Sequence, residues 1–129
     1  MVKKWIPALL WMVAIFVLSN QPKGAIPSFG LWDFLVKKGS HFLAYGLLAG
    51  LYWWALRGGK RPFPIAFLLT FLYAVSDEWH QSFIPGRNAT VMDVMIDSVG
   101  GLVMLGLLYF WQLRRQPTYN KADQAASEF

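Results

Sequence analysis

No cysteine occurs among the 129 residues of the chain. Disulfides, thiolate metal ligands and thiol nucleophiles are excluded, and composition says nothing about the redox compartment. Charge is also scarce, at 15% of residues against about 25% in soluble domains. The patterns of common hydrolases are missing. There is no His-Glu-x-x-His, which would bring two imidazoles to a metal on one helix face, and no Gly-x-Ser-x-Gly elbow. The chain also lacks internal repeats and low-complexity tracts.

What it has in excess is apolar surface. Hydrophobic residues make up 56% of the chain, against about 45–50% in soluble domains, which favours a membrane protein. The length allows one domain. Apolar runs cover Trp5–Leu18, Phe42–Leu56, Phe63–Val75 and Ser98–Leu113. Each reaches the roughly 20 residues of a spanning helix only by recruiting polar neighbours. The expected architecture is therefore all-α: a bundle of four transmembrane helices at about 4–20, 37–56, 63–83 and 92–112 within a domain 1–113. A disordered cytoplasmic tail, 114–129, follows. The first run could be read as a cleaved signal peptide, but three further apolar runs favour an uncleaved helix.

The net charge of +5 does not point to nucleic acid, because the basic residues are spread between the apolar runs. Lys3, Lys4, Arg57, Lys60, Arg61, Arg114, Arg115 and Lys121 fall on one side of a four-span model, and Lys23, Lys37, Lys38 and Arg87 on the other. That asymmetry predicts both termini in the cytoplasm of a multi-pass cell-membrane protein. Trp5, Trp53, Trp54, Tyr109 and Trp111 lie at the basic ends of their runs, as an interfacial aromatic belt would. Gln21–Gly39 reads as an outer connector, with Phe29, Leu31, Trp32, Phe34 and Leu35 on the surface. Gly46 and Gly50, and Gly100, Gly101 and Gly106, read as sites of close helix packing.

Against this background the segment Ala74–Phe83 stands out, with Asp77, Glu78, His80 and Gln81 in five residues. Counting about 1.5 Å per residue from the basic ends puts Asp77, His41 and Asp97 each at about 20–22 Å, with His80 and Asp93 slightly further out. Asp77, His80 and Gln81 share a helix face, as do Asp93, Asp97 and Gly100. His41 and Tyr45 share a third, with Lys38 one turn outward. Ionisable groups within a membrane are expensive unless they face one another or a cavity. The expectation is a polar pocket open to the outside, formed by Lys38, His41, Tyr45, Asp77, Glu78, His80, Gln81, Arg87, Asp93 and Asp97. Ser19-Asn20-Gln21 either adds amides to it or simply ends the first helix.

Ser76-Asp77-Glu78-x-His80-Gln81, Pro85-x-Arg87 and Asp93-x-x-x-Asp97-x-x-Gly100 resemble the VanZ-like family, as do Lys38-x-x-His41-Phe42-x-x-Tyr45-Gly46 and Leu18-Ser19-Asn20-Gln21. The resemblance runs from about Trp5 to Trp111. Two positions depart from it: Lys37 stands where an acid is common, and Asp97 where asparagine is frequent. It implies a small integral membrane protein, in a family named for resistance to the glycopeptide teicoplanin.

Three uses of the pocket follow. As a binding module it would hold the headgroup of a membrane lipid, a lipid-linked envelope component or a lipoglycopeptide antibiotic, with Lys38 and Arg87 on anionic groups. As an enzyme it would use His41 or His80 as base and Asp77 or Glu78 as acid or orienter, with Arg87 stabilising negative charge. A divalent metal on Asp77, His80, Asp93 and Asp97 would relieve repulsion between the acids. A purely structural role, with the charges keeping four helices in register, is the remaining possibility. Binding ranks first.

Overall fold

The structure, a computed structural model, describes residues 2–20, 31–84, 90–115 and 125–128. The side chains of Asp33 and Phe34 are outside that description, as are most of the expected connector and of the expected tail. Among the described residues the fold is all helical, with no strand. A 3-10 turn, Val2–Lys4, leads into α1, Ile6–Ser19, followed by α2, Leu31–Leu56, α3, Pro62–Gln81, and α4, Val91–Arg115.

Helix two begins at Leu31, earlier than the expected connector allowed. The breakers Pro22, Gly24, Pro27 and Gly30 all precede Leu31, while Leu31–Lys38 contains none. Helix three starts at Pro62, where a missing N–H is harmless, and the turn before it passes through Gly58 at φ 100°. It stops at Gln81, after which Phe83 and Ile84 donate to His80 and Gln81 carbonyls in a tightened last turn.

The helices alternate in direction. Trp5 meets Tyr52, Trp53 meets Phe63, and Phe63 meets Tyr109 at one end of the bundle. At the other end Ser19 and Tyr45 both reach Asp77. The second helix is central and packs against all three others. Its approach to α4 is close: a Cβ on Gly100 would lie 2.3 Å from the Phe42 carbonyl oxygen. Gly46 faces the same crossing, whereas Gly106 has nothing within 4 Å and is no packing glycine. Helix α1 is pinned by side chains, with Trp11 Nε1 donating to the Ala44 carbonyl (2.8 Å) and Tyr73 OH to that of Met12 (2.6 Å).

Polarity runs inside out. Leu10, Leu43, Leu68, Leu72 and Leu107 are exposed, one or more on every helix, while Asp77, Glu78, Gln81 and Asp97 are buried. Val2–Ser19 and Val91–Arg115 are each long and apolar enough to cross a membrane. Among the described residues only these two meet that test, which leaves the expected count of four spans unconfirmed. α2 and α3 are long enough, at 26 and 20 residues, and share with α4 the polar residues of the interior cluster.

Candidate functional site

α2 carries Lys38, His41 and Tyr45 along one stripe, at spacings of three and four residues. Each meets a carboxylate from another helix. Lys38 Nζ is ion-paired with Asp93 of α4. His41 Nδ1 lies 3.4 Å from Asp97 Oδ1, one turn deeper in α4. Tyr45 OH donates to Asp77 Oδ2 of α3 at 2.8 Å. The series grades inward: the Lys38 and His41 side chains are each 30% exposed, Asp93 19% and Asp97 1%.

Asp77 is the junction of three helices. Its Oδ2 accepts from Tyr45, from Ser19 Oγ at the end of α1 (3.0 Å) and more weakly from Gln81 Nε2 (3.5 Å). Its Oδ1 is buried with no hydrogen-bond partner, and both Asp97 oxygens are likewise unbonded. The His41–Asp97 contact is thus an ion-pair approach rather than a formed hydrogen bond. Three open acceptor positions therefore lie beside the stripe. His41, Asp77, Glu78 and Asp97 are within electrostatic range of one another.

Glu78 has a different task. Its Oε2 accepts from the Thr90 backbone N–H at 3.1 Å, at the start of α4. Thr90 Oγ1 accepts from Asp93 N at 3.3 Å and donates to Asp93 Oδ2 at 2.8 Å. This is a variant capping box in which Glu78 takes the N-cap amide, and its carboxylate also complements the positive end of the helix dipole. Sequence reasoning missed Thr90, although Thr-x-x-Asp after a Pro-Gly turn was a usable signal. Of the helix-one ending, Ser19 joins the Asp77 network, whereas Asn20 meets His80.

His80 points elsewhere. Its ring stacks on Phe16 of α1 at 4.6 Å, and Nε2 lies 3.3 Å from Asn20 Oδ1. Asp77, His80, Asp93 and Asp97 thus have separate partners, and among the described residues no three His, Asp or Glu side chains gather as a metal site. The spacing that suggested a shared ion counted residues on each helix but not the rotation of one helix against another. Arg87, expected to hold an anionic group, lies outside the described residues. Asp77, Glu78 and Asp97 are buried between the helices. A cavity of about 350 Å³ opens at the opposite, basic end.

An exposed apolar jacket around a buried polar junction defines a helical bundle of membrane-associated type. The chain belongs to the VanZ/LLP1 family, whose family model matches residues 4–112, and that family is generally membrane-associated. No curated protein and no solved structure matches the chain.

Proposed function

We propose that the chain is a four-span cell-membrane protein with both termini cytoplasmic, and that its acidic cluster binds an amphiphile's polar headgroup from the outer side. The carrying observation is the stripe Lys38–His41–Tyr45, each member against a carboxylate on α3 or α4. Its outer part is 30% exposed, and buried acceptors without hydrogen-bond partners lie beneath it. Lys38 would meet an anionic group, with Arg87 as a second cation. The unbonded oxygens of Asp77 and Asp97 would accept from hydroxyl or ammonium donors. Such a donor-rich, anionic headgroup belongs to a membrane lipid, a lipid-linked envelope precursor or a lipoglycopeptide such as teicoplanin, the drug for whose resistance the family is named. Exposed leucines on α2 and α3 support spanning by those helices as well as by α1 and α4.

The test is direct binding by the full chain in nanodiscs, with teicoplanin and a polyprenyl-pyrophosphoryl disaccharide as probes. His41→Ala and Lys38→Ala should each weaken binding about tenfold, a difference of about 1.4 kcal/mol. Unchanged affinity in both, or no binding by the parent chain, defeats the proposal. A second reading, acid–base catalysis on an envelope lipid, has one observation in its favour. With Nδ1 of His41 against Asp97, Nε2 is the nitrogen positioned to exchange a proton. Product formation from a lipid panel, lost in His41→Ala, would replace binding with catalysis.

A further inference from the structure

The cavity at the basic end is far from the acidic cluster and has its own chemistry. It is bounded by the turn between α2 and α3 and by the last turns of α4, and it is lined by Trp53, Arg57, Pro62, Phe63, Tyr109 and Gln112. At about 350 Å³ it falls within the roughly 300–1,000 Å³ of small-molecule sites. Its aromatic wall is continuous. Trp53 and Phe63 stand 5.8 Å apart, and Phe63 and Tyr109 meet edge to face at 5.4 Å.

Two further observations bear on what this wall would take. The Trp53 indole is 9% exposed, and its Nε1 is buried without a hydrogen-bond partner. A buried donor left unpaired is uncommon and calls for an acceptor. The helix ends that surround it, meanwhile, carry charge of one sign. Lys3, Lys4, Arg57, Lys60, Arg61, Arg114 and Arg115 lie at this end, while Asp77, Glu78, Asp93 and Asp97 lie at the other. Arg57 is held at the rim by stacking on Trp54, its guanidinium carbon 5.4 Å from the ring centroid.

We propose that this cavity is a binding site for the phosphate headgroup of an anionic glycerophospholipid. Arg57, Gln112 and Trp53 Nε1–H donate to the phosphate oxygens. Phe63, Pro62 and Leu113, which also lines the cavity, cover the glycerol and the first acyl carbons. A free hydrated anion would gain nothing from three aromatic rings, and a zwitterionic headgroup would bring its ammonium against Arg57 with no carboxylate in the lining to receive it, so that only a cation–π contact with the rings would favour it. Basic residues near a membrane surface attract anionic lipid diffusely, and the cavity adds shape to that attraction. The inference rests on the proposed membrane placement but not on the ligand proposed for the acidic cluster.

The experiment equilibrates the full chain in detergent with equimolar dioleoyl phosphatidylglycerol and phosphatidylcholine and counts retained lipid by native mass spectrometry. Phosphatidylglycerol should be retained about tenfold over phosphatidylcholine. Arg57→Ala, Gln112→Ala and Trp53→Phe should each lower retention several-fold. Lys4→Ala, which removes the same charge outside the lining, should leave it unchanged. Equal loss in Lys4→Ala and Arg57→Ala would reduce the effect to diffuse surface charge, and equal retention of the two lipids would remove the site. Displacement of phosphatidylglycerol by millimolar inorganic phosphate would reassign the cavity to a free anion. Unaltered retention in His41→Ala separates this site from the acidic one. A chain released from membranes by alkaline carbonate would overturn both proposals.

Discussion

Asp77 and Asp97 are both buried, yet their surroundings treat them in opposite ways. Asp77 Oδ2 has two strong hydroxyl donors from other helices and a third, longer one from its own. Hydrogen bonds to a charged acceptor contribute about 1.5–3 kcal/mol. Asparagine there would weaken them and leave an amide donor in the partnerless Oδ1 position. Asp97 has no hydrogen-bonded oxygen, and its counter-charges are His41, at 3.4 Å, and the more distant Lys38. A buried charge so thinly compensated is costly, so an uncharged isostere should be tolerated. Asp77→Asn is expected to destabilise the folded chain by about 2 kcal/mol, while Asp97→Asn leaves stability unchanged or raised. Thermal unfolding in detergent measures both. An equal loss in Asp97→Asn would make the His41–Asp97 pair a main support of the fold.

Among the elements, α4 depends on its neighbours at two places. Its first turn is capped by Thr90 and by Glu78 of α3, and its middle lies against α2 at Gly100. A methyl on Gly100 would collide with backbone rather than with a side chain that could swing away. Gly100→Ala should therefore push the helices apart and cost at least the roughly 1–3 kcal/mol typical of overpacking. Gly106→Ala on the same helix, with nothing near, should stabilise by up to about 1 kcal/mol through helix propensity. Denaturation of the two variants side by side checks this, and a similar loss in both would mean that the α2–α4 crossing is not closely packed at Gly100.

At the scale of the molecule, charge and oil are both sorted. Among the described helices the carboxylates gather at one end, most basic residues lie with stacked aromatics at the other, and leucines face outward between them. Arg114 lies over Phe110 at 4.7 Å and Arg115 over Trp111 at 4.3 Å, which fits a belt at the membrane's inner interface in the proposed orientation. The absence of cysteine makes that orientation easy to test. In intact cells an impermeant maleimide should label Phe83→Cys, and Lys60→Cys only after permeabilisation. The reverse pattern would invert the proposed topology, and labelling of both in intact cells would abolish it.

Much of this was legible in the chain because it depends on local spacing. Pro62 and Pro64 mark a helix start, period-3.6 stripes group Lys38 with His41 and Tyr45, and the polar segment at Asp77–Gln81 is plain in an otherwise apolar run. The family, too, could be recognised from ordered polar positions. Partner choice was not legible, because it depends on how each helix is rotated and how closely it approaches the next. That rotation turned His80 toward Phe16 and Asn20, gave Glu78 to the cap of α4, and brought Ser19 onto Asp77. The basic-end cavity is likewise a product of packing, since Trp53, Phe63 and Tyr109 come from three helices. Sequence alone determined which residues must avoid lipid. Only the tertiary structure decided which of them would meet, because a helix's pattern fixes its faces but not its neighbours.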